Sequence, residues 1–218
     1  EHGSQTWLND ADYIVCGEGE QAFTVLCRQL LAGEKPALRI QQGTTPAMSE
    51  LEMPYRLYTD EDVSNRVVYV EASRGCPYRC EFCLSSLDQS MREVPLEKFF
   101  DQMDALLERG AMGFKFIDRT FNLSIPFALQ VLEFFHARLR PGLSLHFEMV
   151  PERLPAELLN ALARFPEGVI QLEVGVQTFD KSVAKRISRP LKIEPLRKNI
   201  AALRNQTSVH LHVDLIAG

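Results

Sequence analysis

The sequence lacks the features of a membrane or secreted protein. No apolar run approaches the roughly 20 residues that a membrane-spanning helix needs. Residues 1–10 are polar and have neither the basic nor the apolar region of a signal peptide. The five cysteines are an odd number, and three of them lie in one short segment, which does not suit a disulfide framework. We therefore expect a cytoplasmic protein with reduced thiols and no membrane partner.

An excess of positive charge is also absent. The chain has 24 Lys and Arg residues against 29 Asp and Glu residues, a formal net charge of −5. This balance gives no long-range attraction to nucleic acid phosphates, so it disfavours a nucleic acid partner. With 45% hydrophobic and 24% charged residues, the composition is that of a globular protein long enough to bury one large core.

The first third of the sequence predicts a short folded region and a connecting segment. An apolar run at residues 13–16 predicts a strand, and the glycines within residues 17–20 end it. Apolar residues then recur at helical spacing until Gly33. Residues 34–65 are rich in Pro, Gly, Glu and Thr and predict a connection, with one short strand at residues 37–40.

From residue 66 onward, strand and helix patterns alternate, which is typical of a parallel sheet built from βα repeats. Five strands are predicted, at residues 67–70, 113–117, 143–147, 169–174 and 209–216. Helices are predicted after the cysteine-rich loop and between the later strands, at residues 96–107, 126–138, 155–164, 181–187 and 194–204. The chain stops directly after the fifth strand, where a closed barrel would continue, so we expect an incomplete barrel.

Ionisable residues lie on or just after these otherwise apolar strands: Glu71, Glu148, Glu173 and Asp214. A sealed core does not accommodate such charges. In a (β/α) barrel the carboxyl ends of the strands line the active site, which explains charges at these positions. Solvent-facing strand ends are the alternative explanation.

Three cysteines lie in a single loop directly after the first strand of this alternating region. Residues 73–83 read SRGCPYRCEFC and give Cys76, Cys80 and Cys83 the spacing C-x-x-x-C-x-x-C. Three thiolates can bind three irons of a [4Fe–4S] cubane, and the fourth iron then has no protein ligand. An open metal position can bind a substrate, as it does in catalytic zinc sites.

Zinc binding and electron transfer are the alternatives for this loop. Structural zinc needs four ligands, and no histidine lies near the loop. Electron carriers give their clusters four protein ligands, so that use would need Cys16 or Cys27 as well. These two cysteines lie on apolar faces, where small core residues are expected. Arg74, Arg79 and Arg92 lie close enough in sequence to offset the negative charge of a cluster.

The cysteine loop, with Phe82 before the third cysteine, resembles the signature of the radical S-adenosylmethionine (SAM) superfamily. Four further phrases are similar to the cobalamin-binding-domain-containing members of that superfamily: DYIVCGEGE at residues 12–20, PY at 54–55, FIDRTFN at 116–122 and EVGVQT at 173–178. In that subgroup the first phrase marks the last strand of a Rossmann-like cobalamin domain.

The resemblance implies a fold and a domain organisation. The fold class is α/β, a partial (β/α)6 radical SAM barrel truncated after the fifth strand, with a remnant of a Rossmann-like amino-terminal domain. Residues 1–33 correspond to that remnant, residues 34–65 to a connecting segment and residues 66–218 to an incomplete radical SAM core. Cobalamin is implied for the full-length protein only, because the D-x-H-x-x-G motif of such proteins is missing here.

The resemblance also implies an activity. SAM would chelate the open iron of the cluster through its amino and carboxylate groups. One electron would then cleave the sulfonium C–S bond, giving methionine and a 5′-deoxyadenosyl radical that abstracts hydrogen from a substrate. The implied partners are a small-molecule or macromolecular substrate and an electron donor such as flavodoxin or ferredoxin. Methylthiolation, which needs a second cluster, and a non-enzymatic iron–sulfur or zinc domain remain alternatives.

Residues that contact SAM are implied by position. Asp118 and Arg119 stand where the family has its amino-group motif, commonly Gly-Gly-Glu, which this sequence lacks. An ion pair between the two is the alternative. Glu148, Glu173 and Gln177 fall in regions that bind the SAM ribose and carboxylate.

Three further contacts are implied. The backbone of Phe82 is placed beside the adenine edge, and residues 214–218, including Ile216, resemble the segment that packs on adenine. Arg189 is placed at the SAM carboxylate, with a solvated loop cation as the alternative.

Overall fold

A computed structural model describes residues 10–88, 90–189 and 192–216. The chain divides into two compact units, Glu1–Glu52 and Met53–Gly218. The predicted boundaries after residues 33 and 65 remain predictions. The polar start of the sequence, residues 1–9, lies outside the described residues. Within the described part of the chain, no helix is long and apolar enough to cross a membrane.

The first unit contains a parallel pair of strands joined by a helix. β1 (Ile14–Cys16) and α1 (Glu20–Leu31) lie where the sequence predicts them, whereas β2 (Ile40–Gln42) begins where the predicted strand ends. β1 pairs with β2 in parallel, and the Gly43 N–H donates to the Cys16 carbonyl at 2.7 Å. Strand, helix and strand therefore form one βαβ repeat.

The second unit is built on a parallel sheet. Its strands are β3 (Val68–Val70), β4 (Ser73–Arg74), β5 (Arg92–Glu93), β6 (Gly113–Phe116), β7 (Ser144–Met149), β8 (Ile170–Gln177) and β9 (His210–Leu215). Its helices are α2 (Asp60–Asn65), α3 (Leu96–Glu108), α4 (Ile125–His136), α5 (Ala156–Ala163), α6 (Lys181–Arg186) and α7 (Ile193–Gln206), with 3-10 turns at Pro54–Leu57 and Leu84–Leu87.

Five of these strands form one sheet in the order β3-β6-β7-β8-β9, and every neighbouring pair is parallel. The predicted α/β class, the parallel sheet and its five strands are confirmed. Because all five strands run in the same direction, their carboxyl ends meet at one edge of the sheet. The polar residues predicted at strand ends are thereby collected at that edge.

The two faces of the sheet differ because side chains alternate along each strand. Along β3, β6, β7 and β8 one face is apolar and buried. Its centre is an aromatic cluster of Phe116, Phe121 and Phe147, in which the ring centres of the stacked Phe121 and Phe147 lie 4.0 Å apart. Phe99 of α3 and Phe135 of α4 pack on Phe116. Burying each of these rings contributes roughly 2–3 kcal/mol, so the ends of β6 and β7 are held rigidly. The opposite face carries the ionisable residues.

A small hairpin that the sequence does not predict closes the cysteine loop. β4 and β5 pair antiparallel, with Ser73 opposite Glu93 and Arg74 opposite Arg92. Between them, Gly75 has φ +93°, and a Cβ at this position would lie 2.0 Å from the Ser90 carbonyl oxygen. The two ends of the loop therefore meet at a point where only glycine fits.

Candidate functional site

A cleft of about 160 Å³ lies at the carboxyl edge of the sheet. The cysteine loop forms one side, and the ends of β7, β8 and β9 form the other. The cleft is lined by all three clustered cysteines and by six of the residues predicted to contact SAM, which are Phe82, Arg119, Glu148, Glu173, Gln177 and Arg189. Residues far apart in sequence are thus brought to one site.

The three thiols are held at different depths. Cys80 is buried, and Cys76 and Cys83 are partly exposed. The Cys76 N–H donates to the Asp88 carbonyl at 2.9 Å, and its Sγ lies 3.9 Å from Thr120 Oγ1. The Cys83 N–H donates to the Cys80 carbonyl at 3.0 Å, which forms a tight turn between these two cysteines.

The three thiols are a donor set that fits an iron–sulfur cubane. Across residues 10–88, 90–189 and 192–216, no three His, Cys, Asp or Glu side chains converge as the ligands of one metal ion would. A cubane makes a different demand, because each thiolate binds its own iron. Three thiols on the wall of one cleft provide one thiolate for each of three irons.

Two carboxylates face each other across neighbouring strands. Glu148 and Glu173 are direct partners in the β7–β8 register. Burial raises the pKa of Glu148, an effect that the nearby Arg119 guanidinium opposes and the Glu173 charge reinforces. Arg119 Nη1 lies 4.0 Å from Glu148 Oε1. Both carboxylates therefore line the cleft as acceptors for a polar ligand.

Glu173 is also tied to a histidine deeper on the same face. Its Oε2 lies 3.0 Å from His146 Nε2. Burial lowers the pKa of His146 and the nearby Lys115 lowers it further, while Glu173 acts in the opposite direction. A histidine with a lowered pKa is neutral near pH 7 and holds the carboxylate through a hydrogen bond.

The end of β8 is irregular where it meets the cleft. The register between β8 and β9 shifts between Gly175 and Gln177, and Gln177 has φ +69°, a strained value for a residue with a Cβ. Its carbonyl accepts the Ile216 N–H at 2.9 Å. Strained residues of this kind concentrate at binding sites.

Asp118 occupies a different place from the one that the resemblance implies. Its side chain is only 2% exposed and is not part of the cleft. Its oxygens accept the Ala72 N–H at 3.0 Å and the Ser73 hydroxyl at 2.6 Å. The structure also does not pair it with Arg119, which lies beside Glu148. Asp118 thus anchors the strand that leads into the cysteine loop, and a direct ligand contact does not fit this position.

Ile216 does not line the cleft either. Its side chain is 58% exposed, and its backbone N–H donates a hydrogen bond to the Gln177 carbonyl. Ala217 and Gly218, the end of the segment predicted to pack on adenine, lie outside the described residues. Through its backbone, Ile216 supports Gln177, which does line the cleft.

We expect Asp118→Asn to remove a pH dependence of stability. Burial raises the pKa of Asp118 to about 7, above the roughly 3.9 of an unfolded chain. Between these values the unfolded chain has lost a proton that the folded chain keeps. Rising pH therefore destabilises the fold by up to about 1.4 kcal/mol per pH unit. The stabilisation that the protonated Asp118 contributes is fully present only below about pH 4 and is lost as the pH rises to about 7.

Asparagine mimics the protonated acid, because it can accept from Ala72 and donate to Ser73. Urea unfolding of both proteins between about pH 5 and pH 8 gives the difference in unfolding free energy between the wild type and the variant. The contributions of the other titrating groups are the same in both proteins and cancel in this difference. A difference in unfolding free energy that does not change over this range would contradict the expectation.

Asn122 is a structural residue of the site to which the sequence assigned no role. It is fully buried, its Nδ2 donates to the Val150 carbonyl at 2.8 Å and its Oδ1 accepts the Val150 N–H at 2.9 Å. It therefore ties the loop after β6 to the loop after β7. An amide side chain next to the apolar Phe121 and Leu123 was the available signal, since a buried amide needs partners.

Comparisons with known proteins agree with this fold. The model of the family described as "Radical SAM superfamily" matches residues 70–218. Among curated proteins, the ribosomal protein uS12 methylthiotransferase RimO of Nitratiruptor sp. is 23% identical over 162 residues, covering 71% of this chain and 37% of that protein. The uncharacterized methyltransferase PH0819 of Pyrococcus horikoshii is 30% identical over 143 residues, covering 55% of this chain and 31% of that protein. The chain thus spans about a third of the length of these two relatives.

Solved structures give the same result for the fold. The cobalamin-dependent radical enzyme OxsB, with aqua-cobalamin and SAM bound, has a TM-score of 0.65 at 16% identity and covers 92% of this chain and 32% of that chain. The radical SAM methyltransferase TsrM from Kitasatospora setae, with cobalamin and a [4Fe–4S] cluster bound, has a TM-score of 0.58 at 19% identity. The match covers 70% of this chain and 31% of that chain. Since the family match covers well over half of the sequence, the chain belongs to the radical SAM superfamily.

Proposed function

We propose that this chain is the SAM-cleaving part of a radical SAM enzyme. Cys76, Cys80 and Cys83 hold a [4Fe–4S] cluster, and the cleft beside them binds SAM. One observation carries the proposal: three thiols in radical SAM spacing line the same cleft as the polar ends of β7, β8 and β9. When bound, the reduced cluster supplies the electron that cleaves the sulfonium C–S bond of SAM and releases a 5′-deoxyadenosyl radical.

The chain's own residues bind and orient SAM in this proposal. Glu148 and Glu173 accept hydrogen bonds from the ribose hydroxyls or the ammonium group, which is consistent with their place on the cleft wall. Arg119, with a side chain that is 57% exposed, is available to the carboxylate of SAM. Phe82 and Gln177 complete the wall on opposite sides. Asp118 and Ile216 act indirectly, by holding the cysteine loop and Gln177.

The full-length protein, we propose, uses this radical chemistry for methyl transfer with cobalamin. In support, the fold likeness to OxsB covers 92% of the chain and so extends into the first unit. Methylthiolation is the second candidate, because the RimO of Nitratiruptor sp. bears that name. The two differ in stoichiometry: methylthiolation needs a second cluster, hence about eight irons per chain instead of about four.

Two external components follow from the proposal. A substrate, small or macromolecular, must reach the open side of the cleft, and a one-electron donor such as flavodoxin or ferredoxin must reduce the cluster. We also propose a cytoplasmic location, which is supported by the five free thiols because reducing compartments keep thiols in this form.

Anaerobic reconstitution with iron and sulfide, followed by electron paramagnetic resonance (EPR) of the reduced protein, tests the proposed function. We expect a cubane signal that shifts when SAM is added, because SAM binds the iron without a thiolate. Zinc retained in place of iron, or a cluster signal that is indifferent to SAM, would overturn the proposal. Purification of the full-length protein with cobalamin and about four irons favours methyl transfer, whereas about eight irons favours methylthiolation.

A further inference from the structure

The segment Ile187, Ser188 and Arg189 lies directly after α6 and returns to the cysteine loop. Ser188 has φ +54°, a left-handed conformation that a residue with a Cβ rarely adopts. The Arg189 N–H donates to the Ala184 carbonyl at 2.9 Å, which fixes the turn to the helix. The chain thus reverses sharply here and brings three consecutive residues towards the thiols.

Two hydrogen bonds join this segment to the middle of the cysteine loop. The Glu81 N–H donates to the Ile187 carbonyl at 3.0 Å, and the Ser188 hydroxyl donates to Glu81 Oε1 at 2.9 Å. Glu81 lies between Cys80 and Cys83. The contact therefore restrains the part of the loop that carries these two cysteines.

Arg189 adds a cation beside a thiol. Its Nη2 donates to the Gly175 carbonyl at 2.7 Å, and its Nη1 lies 3.9 Å from the Cys80 Sγ. Its guanidinium carbon lies 5.9 Å from the centre of the Tyr78 ring. A solvated loop cation would have none of these contacts, so that interpretation does not fit the structure.

Two other arginines near the loop, Arg74 and Arg92, form ion pairs with carboxylates. Arg74 forms an ion pair with Glu71 at 2.8 Å, and Arg92 lies 3.2 Å from Asp88. Their charges are thus largely offset by neighbouring carboxylates. The Arg189 guanidinium lies beside a sulfur of the cysteine loop.

We infer that residues 187–189 form a clasp on the cysteine loop, and that Arg189 is a positioning residue that ties the Cys80 thiolate to β8 and holds a positive charge beside it. This inference rests on the proposed function and assigns Arg189 a role towards the cluster, in addition to the predicted contact with SAM. The guanidinium has five N–H donors, so both roles are compatible.

The charge has a direct consequence for the cluster. Reduction adds one negative charge, and a cation at close range in a partly buried setting stabilises the more negative state. Loss of Arg189 therefore makes the cluster harder to reduce. Loss of the clasp also leaves the Cys80 thiolate less firmly held, so that iron is removed faster by a chelator.

The test compares Arg189→Gln with Arg186→Gln, both reconstituted anaerobically and studied without SAM. Both variants lose one positive charge, because each replaces an arginine with glutamine. Arg186 lies three residues away and is exposed on α6, so it serves as the control. We expect Arg189→Gln to show about a tenfold smaller ratio of reduced to oxidised cluster at a fixed potential, equivalent to about 59 mV for one electron. The Arg186→Gln ratio should match that of the wild type. Because SAM is omitted, a role in SAM binding alone cannot produce this difference.

The outcomes separate the two claims. Equal potentials for the two variants, with clusters present in both, would refute the inference and leave the proposed function standing. A wild-type chain that forms no cubane would refute both. If Arg189→Gln does not fold, the comparison passes to Arg189→Lys and Arg186→Lys. There we expect several-fold faster cluster loss to a chelator for Arg189→Lys, because lysine keeps the charge and loses the two-point contact; equal rates would refute the inference.

Discussion

Alanine at any one of Cys76, Cys80 or Cys83 is expected to abolish cluster binding, whereas the double variant Cys16→Ala/Cys27→Ala should keep it. In the proposed site each of the three thiolates is the protein ligand of one iron, so removing one leaves two irons without protein ligands. Iron bound after anaerobic reconstitution should fall from about four per chain to near zero in each single variant.

The double variant is the matched control, because it removes more thiols than any single variant does. Cys16 and Cys27 lie in the first unit and are partly exposed. If the double variant also lost its iron, a fourth cysteine ligand would be indicated and the electron-transfer alternative would be favoured. Cys80→Ser provides a further check, since it nearly conserves the volume of a buried side chain and separates loss of a ligand from loss of packing.

Folding should survive these substitutions. The aromatic cluster of Phe116, Phe121 and Phe147 lies at the centre of the core of the second unit. The three cysteines line the cleft, and of these only Cys80 is buried. Thermal unfolding of the metal-free proteins should therefore differ by only a few degrees between wild type and single variants. A collapse of stability in the metal-free state would show that the cysteines are needed for folding.

The sheet and the cysteine site could be predicted because both depend on local patterns. Apolar runs between turns predict strands such as β7 and β8, and the alternation of strands with helices predicts their parallel order. The three cysteines are close in sequence, so their spacing alone indicates a cluster. In both cases the information lies within about ten residues.

Other parts depend on contacts that no local pattern contains. Asp118 looks like a strand-end ligand in the sequence, but burial against Ala72 and Ser73 makes it an anchor. The clasp joins Arg189 to a thiol 109 residues earlier. β4 and β5 have two residues each, too few for a period. α2 lies within residues 34–65, which the sequence pattern predicts to be a connection without a helix. A local signal was nevertheless present, since Thr59 and Asp62 form a capping box at the start of α2.

Gly75→Ala is expected to reduce cluster occupancy at least tenfold. The new Cβ would lie 2.0 Å from the Ser90 carbonyl oxygen, a backbone atom two residues before β5, so its displacement would strain the β4–β5 pairing. That pairing holds together the two ends of the loop that carries Cys76, Cys80 and Cys83. The loop would therefore lose the closed conformation in which the three thiols share one cleft.

Gly110→Ala isolates the effect of this collision. Gly110 has φ +97°, close to the +93° of Gly75, but a Cβ there meets no atom within 4 Å. Both variants carry the cost of a left-handed conformation, about 1–2 kcal/mol, and only Gly75→Ala has the steric overlap. Iron content and thermal unfolding should be measured for both proteins. Both should unfold a few degrees below the wild type, and Gly110→Ala should keep its cluster. Equal iron content in the two variants would show that the cysteine site does not depend on the closed hairpin, because the backbone conformation is otherwise matched.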